Sequence, residues 1–509
     1  MSTGVEATIV WETKNDAWCC QSSSSTGRPQ ANIPSALFII HPLASRQSAA
    51  FTSFIASVIS TPFSHTKDIA YFNLQLLYTS TSLKTAFQIV RSPAMSAASI
   101  PLPKSGELIK SIRESSRALR QAENITISAE SIKRLLLSSA FTSTYHRIAS
   151  TSHGLAFPLN FPSPLIELNL LSILALLNIG SGYRVPLHQQ TGRGAWDSIR
   201  ALVFGLYISS STGADEDLMS AKGMRDIRDM KIAELLGVNV HVERPHESIP
   251  GVTVGEVGGP GWEVVQLIKE LMHGAGSFLV EHGYRDLGSF VLEALKEGGR
   301  AGPEASAEIV LERLVRAIPG FQDMFIVDGR PIYCFKKALF LINGVVVRFG
   351  SKVPPPFPIP VTSHLPVFSD NVLPSILIHL GVIDLSTASP PLAALFPGAG
   401  SEDSLKSLLA PAPQVSADVP KSGKKEIPIE GPVLTEEQAY ILRAASIDAC
   451  ELIVEYAQSM DPAELADQNP EWIKEINLPD LDTWIWAVAK DRPDYRKLQR
   501  FVLKKALWF

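Results

Sequence analysis

The stretch from Leu165 to Ile179 limits what this chain can become. It is rich in leucine and apolar except at Glu167, Asn169, Ser172 and Asn178. A run of that length exceeds an ordinary strand, and leucine outnumbers β-branched residues in it, so it predicts a buried helix. The neighbouring text agrees. From Lys104 onward Leu108, Ile112 and Ser116 share a helical face, and Ser128 opens a helix that carries Ile132, Leu135 and Leu136. Asp226–Leu236 and Trp262–His282 read as further helices, and Val252–Gly261 as a loop. Thr435 with Gln438 can cap a helix running through Ala439–Met460. The Asp328-Gly329 pair between short apolar runs predicts a β-hairpin over Phe325–Cys334. Strands alternating with helices are nowhere evident. The expected fold class is mostly α with a small β-hairpin.

Composition narrows the function classes. The chain has 509 residues, of which 45% are hydrophobic and 19% charged, with a formal net charge of −5. That is ordinary for a globular protein large enough for two or three domains' worth of core. Mild acidity argues against a nucleic-acid partner, which needs a basic face. Cys19, Cys20, Cys334 and Cys450 have no metal-site or disulfide spacing, which fits a reducing, cytoplasmic location.

Residues 1–94 read differently from the rest. They are rich in serine and threonine, and their apolar pieces, 35–41 and 51–59, are too short to span a membrane. Arg28, Arg46 and Arg91 suit a transit-like segment, but Glu6, Glu12 and Asp16 do not. The preferred reading is a disordered or non-domain extension, with a working domain over 95–509 and a mobile Pro- and Ser-containing insert near 397–432. The expected chain is soluble and has no membrane partner.

Standard catalytic patterns are missing: no nucleophile elbow, zinc-protease helix, phosphate-binding loop or dinucleotide fingerprint occurs. Gly192-Arg193-Gly194 ahead of a helix could cradle a phosphate, but an ordinary turn explains it as well. More informative is Phe368-Ser-Asp370-Asn-Val-Leu373-Pro374. Pro374 falls in the first turn of an apolar helical pattern, Leu373, Ile376, Leu377 and Leu380, where proline is tolerated. Asp370 therefore stands at a helix start, where the dipole favours negative charge. It is either a cap or a catalytic carboxylate beside an aromatic platform.

The phrase Phe368-Xaa-Asp370-Xaa-Xaa-Leu373-Pro374-Xaa-Xaa-Leu377-Xaa-His379-Leu380-Gly381 resembles one carried by the queuosine salvage proteins, hydrolases that release queuine from queuosine 5'-phosphate. Further phrases follow in that family's order: Ile112–Arg117, Gly288-Ser-Phe290, Phe321-Gln-Asp323, Asp328–Lys336 and Leu481-Asp482-Thr-Trp484-Ile-Trp486. The similarity spans roughly residues 105–509. It implies a helical fold akin to helix-hairpin-helix DNA glycosylases. The implied activity is hydrolysis of the N-glycosidic bond of a modified nucleoside 5'-monophosphate, without metal or cofactor.

The resemblance also implies residue roles. Asp370 would stabilise or attack the cationic ribose carbon, as carboxylates of glycosidases do. Phe368 would stack on the base. Asp482, with Trp484 nearby, would read the base's hydrogen-bond donors. Lys336 would meet the 5'-phosphate or tune Asp370, and His153 would approach substrate; Arg184 and Arg193 are alternatives for the phosphate. Ala487 departs from the pattern, since the family carries an aspartate there. Two rivals remain: a glycosylase for another modified nucleotide or DNA base, and a non-catalytic helical binding module. Convergence of Asp370, Asp482, Phe368 and Lys336 on one pocket separates the enzyme from the module.

Overall fold

The computed structural model describes residues 6–7, 74–75, 100–152, 154–213, 217–413, 427–461 and 471–509. Residues 6–7 and 74–75 form a short antiparallel ladder, and the remainder of the expected 1–94 extension lies outside the described residues. Residues 100–509 make one compact unit, which among the described residues is mostly helical with three two-stranded sheets.

The leucine-rich run forms the helix Pro164–Leu176, and everything from Glu167 to Leu176 is buried. Ser163 accepts the Ile166 N–H and Pro164 occupies the first turn, which sets the start. Its polar interruptions are each satisfied. Asn169 accepts from the Gly288 N–H and donates to the Met219 carbonyl. Ser172 bonds back to the Leu168 carbonyl. Glu167 is gripped by Arg348 and Lys352. A helix this deeply buried tolerates polar groups only on those terms.

Around it pack Leu287–Ala301 and Lys336–Phe349. A second group joins Leu108–Ala122 to the long helix Glu436–Ser459, which in turn touches Val372–His379 and Leu478–Asp491. Thr435 and Gln438 form a complete capping box at the start of Glu436–Ser459. Ser128 caps Ala129–Leu136 as expected. The hairpin is Met324–Val327 paired with Arg330–Tyr333, its two-residue loop Asp328-Gly329 having φ of 47° and 74°. Two consecutive positive φ values are what a type I′ turn requires.

Two expectations need correction. Val252–Gly261 is not all loop: Thr253–Val257 pairs antiparallel with His241–Pro245, a ladder too exposed to leave a hydrophobic pattern. The helix expected over Asp226–Leu236 runs from Asp229 to Leu236, and Asp226 instead ends a separate helix, Ala221–Asp226. A helix, Arg184–Thr191, leads into the Gly192-Arg193-Gly194 turn. Within 397–432 the structure describes the helix Glu402–Leu408 and the strand start at Glu430. That strand, Glu430–Val433, pairs parallel with Arg500–Val502. Gly182 sits so close to the C-terminal segment that a Cβ there would lie 2.0 Å from the Leu503 carbonyl oxygen.

Candidate active site

Three segments far apart in sequence converge. The first is anchored by Asp323, which is fully buried. Its carbonyl accepts the Cys334 and Phe335 N–H groups, and its Oδ2 accepts the Lys336 N–H at 3.0 Å. These bonds hold Phe335 at φ 45°, a left-handed conformation unusual for a bulky residue. The helix Lys336–Phe349 starts from there. Asp323 is neutralised by a two-pronged contact from Arg443, also fully buried, and by the Tyr440 hydroxyl. The Arg443 Nε donates in addition to the Ser369 carbonyl at 2.9 Å. One guanidinium thus ties the segment that launches Lys336 to the segment that carries Asp370.

Asp370 lies at the entry to the helix Val372–His379, and Pro374 falls in its first turn. The Asp370 Oδ1 accepts the Val372 N–H at 2.6 Å. No described group donates to its Oδ2. The neighbouring Asn371 donates to the Phe501 carbonyl, and Ser369 bonds to Ser446. The carboxylate is 8% exposed. Capping and catalysis are therefore not exclusive here: one oxygen orients the side chain and the other is left over.

Asp482 comes from the helix Leu478–Asp491, capped by Asn477. Its Oδ2 accepts the Phe368 N–H at 2.6 Å, so it fixes the aromatic residue directly. Burial pushes its carboxyl up to about 8, with the nearby charge of Asp370 acting in the same direction. Lys336 is pushed the other way. Burial lowers its ammonium to about 8, against the opposing pull of Asp370. Its Nζ donates to the Asn178 carbonyl at 2.9 Å. Lys336 and Asp370 line the same cavity.

Asp370, Asp482, Phe368 and Lys336 line one small cavity of about 10 Å³, together with Asn178, Trp196, Phe340 and Trp486. The aromatic walls meet edge to face: Trp196 with Phe340 at 5.5 Å, Phe340 with Phe368 at 6.3 Å, Trp196 with Trp486 at 6.2 Å. Aromatic walls of that kind match the faces of a planar ring, for which the slot has to widen.

Not every expected residue is there. Trp484 is buried on the far side of its helix, its Nε1–H donated to Thr144 and its ring packed on Phe141. Trp486 takes the wall position instead. Asp480 is spent on Asn477 at the helix cap. Arg193 is exposed on the turn before Trp196. His153 lies outside the described residues. The walls that sequence reasoning missed had a signal. Phe340 and Trp486 follow Lys336 and Asp482 by one helical turn each, an i, i+4 relation that puts each pair on one face. Among the described residues no group of three His, Cys, Asp or Glu side chains could hold a metal ion, and no single helix is long and apolar enough to cross a membrane.

Residues 264–392 match the family model described as the queuosine salvage protein. That segment, about a quarter of the chain, is similar to the queuosine salvage family. The matched segment holds Lys336, Phe340, Phe368 and Asp370, whereas Asp482 and Trp486 reach the pocket from outside it. No curated protein matches the chain. That similarity supports a role in queuosine salvage.

Proposed function

We propose that the protein hydrolyses the N-glycosidic bond of queuosine 5'-phosphate, giving queuine and ribose 5-phosphate. The reading rests on one observation: four residues chosen from sequence, spread from Lys336 to Asp482, face a single aromatic-walled pocket.

Queuine is a 7-deazaguanine. Carbon replaces N7, so the base cannot be activated by protonation there. The barrier must then be lowered at the sugar. As the C1'–N9 bond breaks, its electron pair leaves with the base and positive charge gathers at C1' and the ring oxygen. Asp370 supplies an opposing charge, held in place by its Oδ1 contact and acting through the uncommitted Oδ2. Water adds its hydroxide to C1' and its other proton ends on N9, so the step balances. Phe368, facing Phe340, stacks on the base, and Trp486 closes another side of the slot. Asp482 holds Phe368 and reads N–H donors on the base. A bound donor favours its ionised form, which burial opposes in the empty pocket.

Incubation of the purified full chain with queuosine 5'-phosphate, followed by chromatographic detection of queuine, tests the proposal. A folded protein that releases none refutes it.

A further inference from the structure

The hairpin of His241–Pro245 and Thr253–Val257 is open on both faces. Only Val242 is half-buried, beside Gly258 and Gly259. A lone pair of strands is marginal in water and gains stability from a third strand or a covering element. This one instead leaves Val252, Val254 and Val257 at 41%, 37% and 54% exposure.

Its two edges differ. Along an antiparallel strand, residues that bond the partner alternate with residues whose N–H and C=O face away. The His246 N–H donates to the Val252 carbonyl, and the Gly258 N–H to the Val240 carbonyl, which fixes the phase. Val254 and Glu256 therefore bond inward, and the backbone groups of Thr253, Gly255 and Val257 point out of the free edge. On the other strand the outward positions are His241, Glu243 and Pro245. Proline there has no N–H to offer and charge opposes pairing, so that edge is guarded. The outward positions of Thr253–Val257 carry neither proline nor charge.

We propose that the Thr253–Val257 edge pairs with the same edge of a second copy of this chain, antiparallel about a two-fold axis at Gly255. Each hairpin then becomes half of a four-stranded sheet. Gly255 faces Gly255 of the partner subunit, and Thr253 faces Val257 of the partner subunit, so outward backbone groups meet outward backbone groups throughout. The charges fit a second copy as well. Glu256 stands opposite Val254 of the partner subunit and keeps its own Arg244 at 3.3 Å, so no like charges are directly opposed. The guarded edge fails the same operation, because an axis at Glu243 sets two glutamates face to face.

Sedimentation velocity of the full chain tests this, with Gly255→Lys and Gly255→Glu as variants. A Cβ at Gly255 meets nothing within 4 Å, so either side chain fits the single copy and its melting transition stays where it was. A contact this small gives a weak dimer, seen as a mass that rises between about 1 and about 100 µM. Either substitution places two like charges opposite each other at the axis and raises the dimer dissociation constant at least about 10-fold. An equimolar mixture of the two variants pairs opposite charges and restores the dimer. A wild type that stays monomeric over the range overturns the proposal, whether or not some other extended chain binds the edge. A dimer indifferent to both substitutions overturns it too, as does a mixture that remains monomeric.

Discussion

Asp370→Asn separates the two duties that the structure assigns to one side chain. Asparagine can still accept the Val372 N–H through its Oδ1, a bond of 2.6 Å in the wild type. As helix-start residues the two amino acids are close to equivalent, so stability should fall by no more than about 1 kcal/mol. The charge, however, is gone. At 8% exposure the carboxylate acts mostly through protein. With an effective dielectric of about 20, a unit charge about 4 Å from a full positive charge is worth about 4 kcal/mol. The oxocarbenium carries only part of a charge at C1', so about 3 kcal/mol is a fair share, or roughly 100-fold in rate. Two neighbours should respond in the same variant: both Asp482 and Lys336 titrate lower once the negative charge beside them is removed. Single-turnover release of queuine gives the rate, equilibrium binding of unreacted nucleotide gives the affinity, and urea unfolding gives the stability. Turnover near wild type in a folded variant would refute the catalytic assignment and leave Asp370 as a cap.

Asp482 carries a pH signature. An aspartate in the unfolded chain titrates near about 4 and this one near about 8 in the fold, so the folded state keeps a proton that the unfolded state has lost. Wild-type stability should therefore decline as pH rises between those values, and the stability of Asp482→Asn relative to wild type should grow over the same window. A flat difference in denaturant midpoints argues against a buried, protonated Asp482. The two tryptophans should split by readout: Trp486→Leu raises KM with little loss of stability, whereas Trp484→Leu lowers stability by about 3 kcal/mol. Equal behaviour in melts and kinetics counts against the placement. Arg443→Met strands Asp323 in the core and should lower stability by about 3–5 kcal/mol, read from urea midpoints; a loss under about 1 kcal/mol denies Arg443 its role as a strut.

Much of this was legible in the chain because it depends on local rules. Pro374 marks a helix start whatever surrounds it, and Asp328-Gly329 demands its turn. Helical text between Leu108 and Leu136 carries its own apolar faces, and Ser128 caps its second helix. What local rules do not carry is the rotation of one helix against its neighbours. Trp484 and Trp486 sit two residues apart, on opposite sides, and only the partner across the gap decides which meets solvent and which meets Phe141. Asp323 was similarly silent. Its significance comes from Arg443 and Tyr440, more than a hundred residues away, and no spacing announces such a pairing. The hairpin at His241–Pro245 escaped notice because its side chains are largely exposed, which removes the alternation that reveals a strand.

The bridge from Asp323 through Arg443 to Ser369 bears on how the protein loses activity when heated. Many active sites sit on loose elements that open long before the whole molecule does. Here the amides of Lys336, Phe368 and Val372 are each held by a buried carboxyl group, and Arg443 ties Asp323 to the segment that carries Asp370. Such amides exchange their hydrogens only when the core itself opens. Thermal inactivation and global melting should consequently follow one curve, and a preparation that still shows its native melting transition should still be competent.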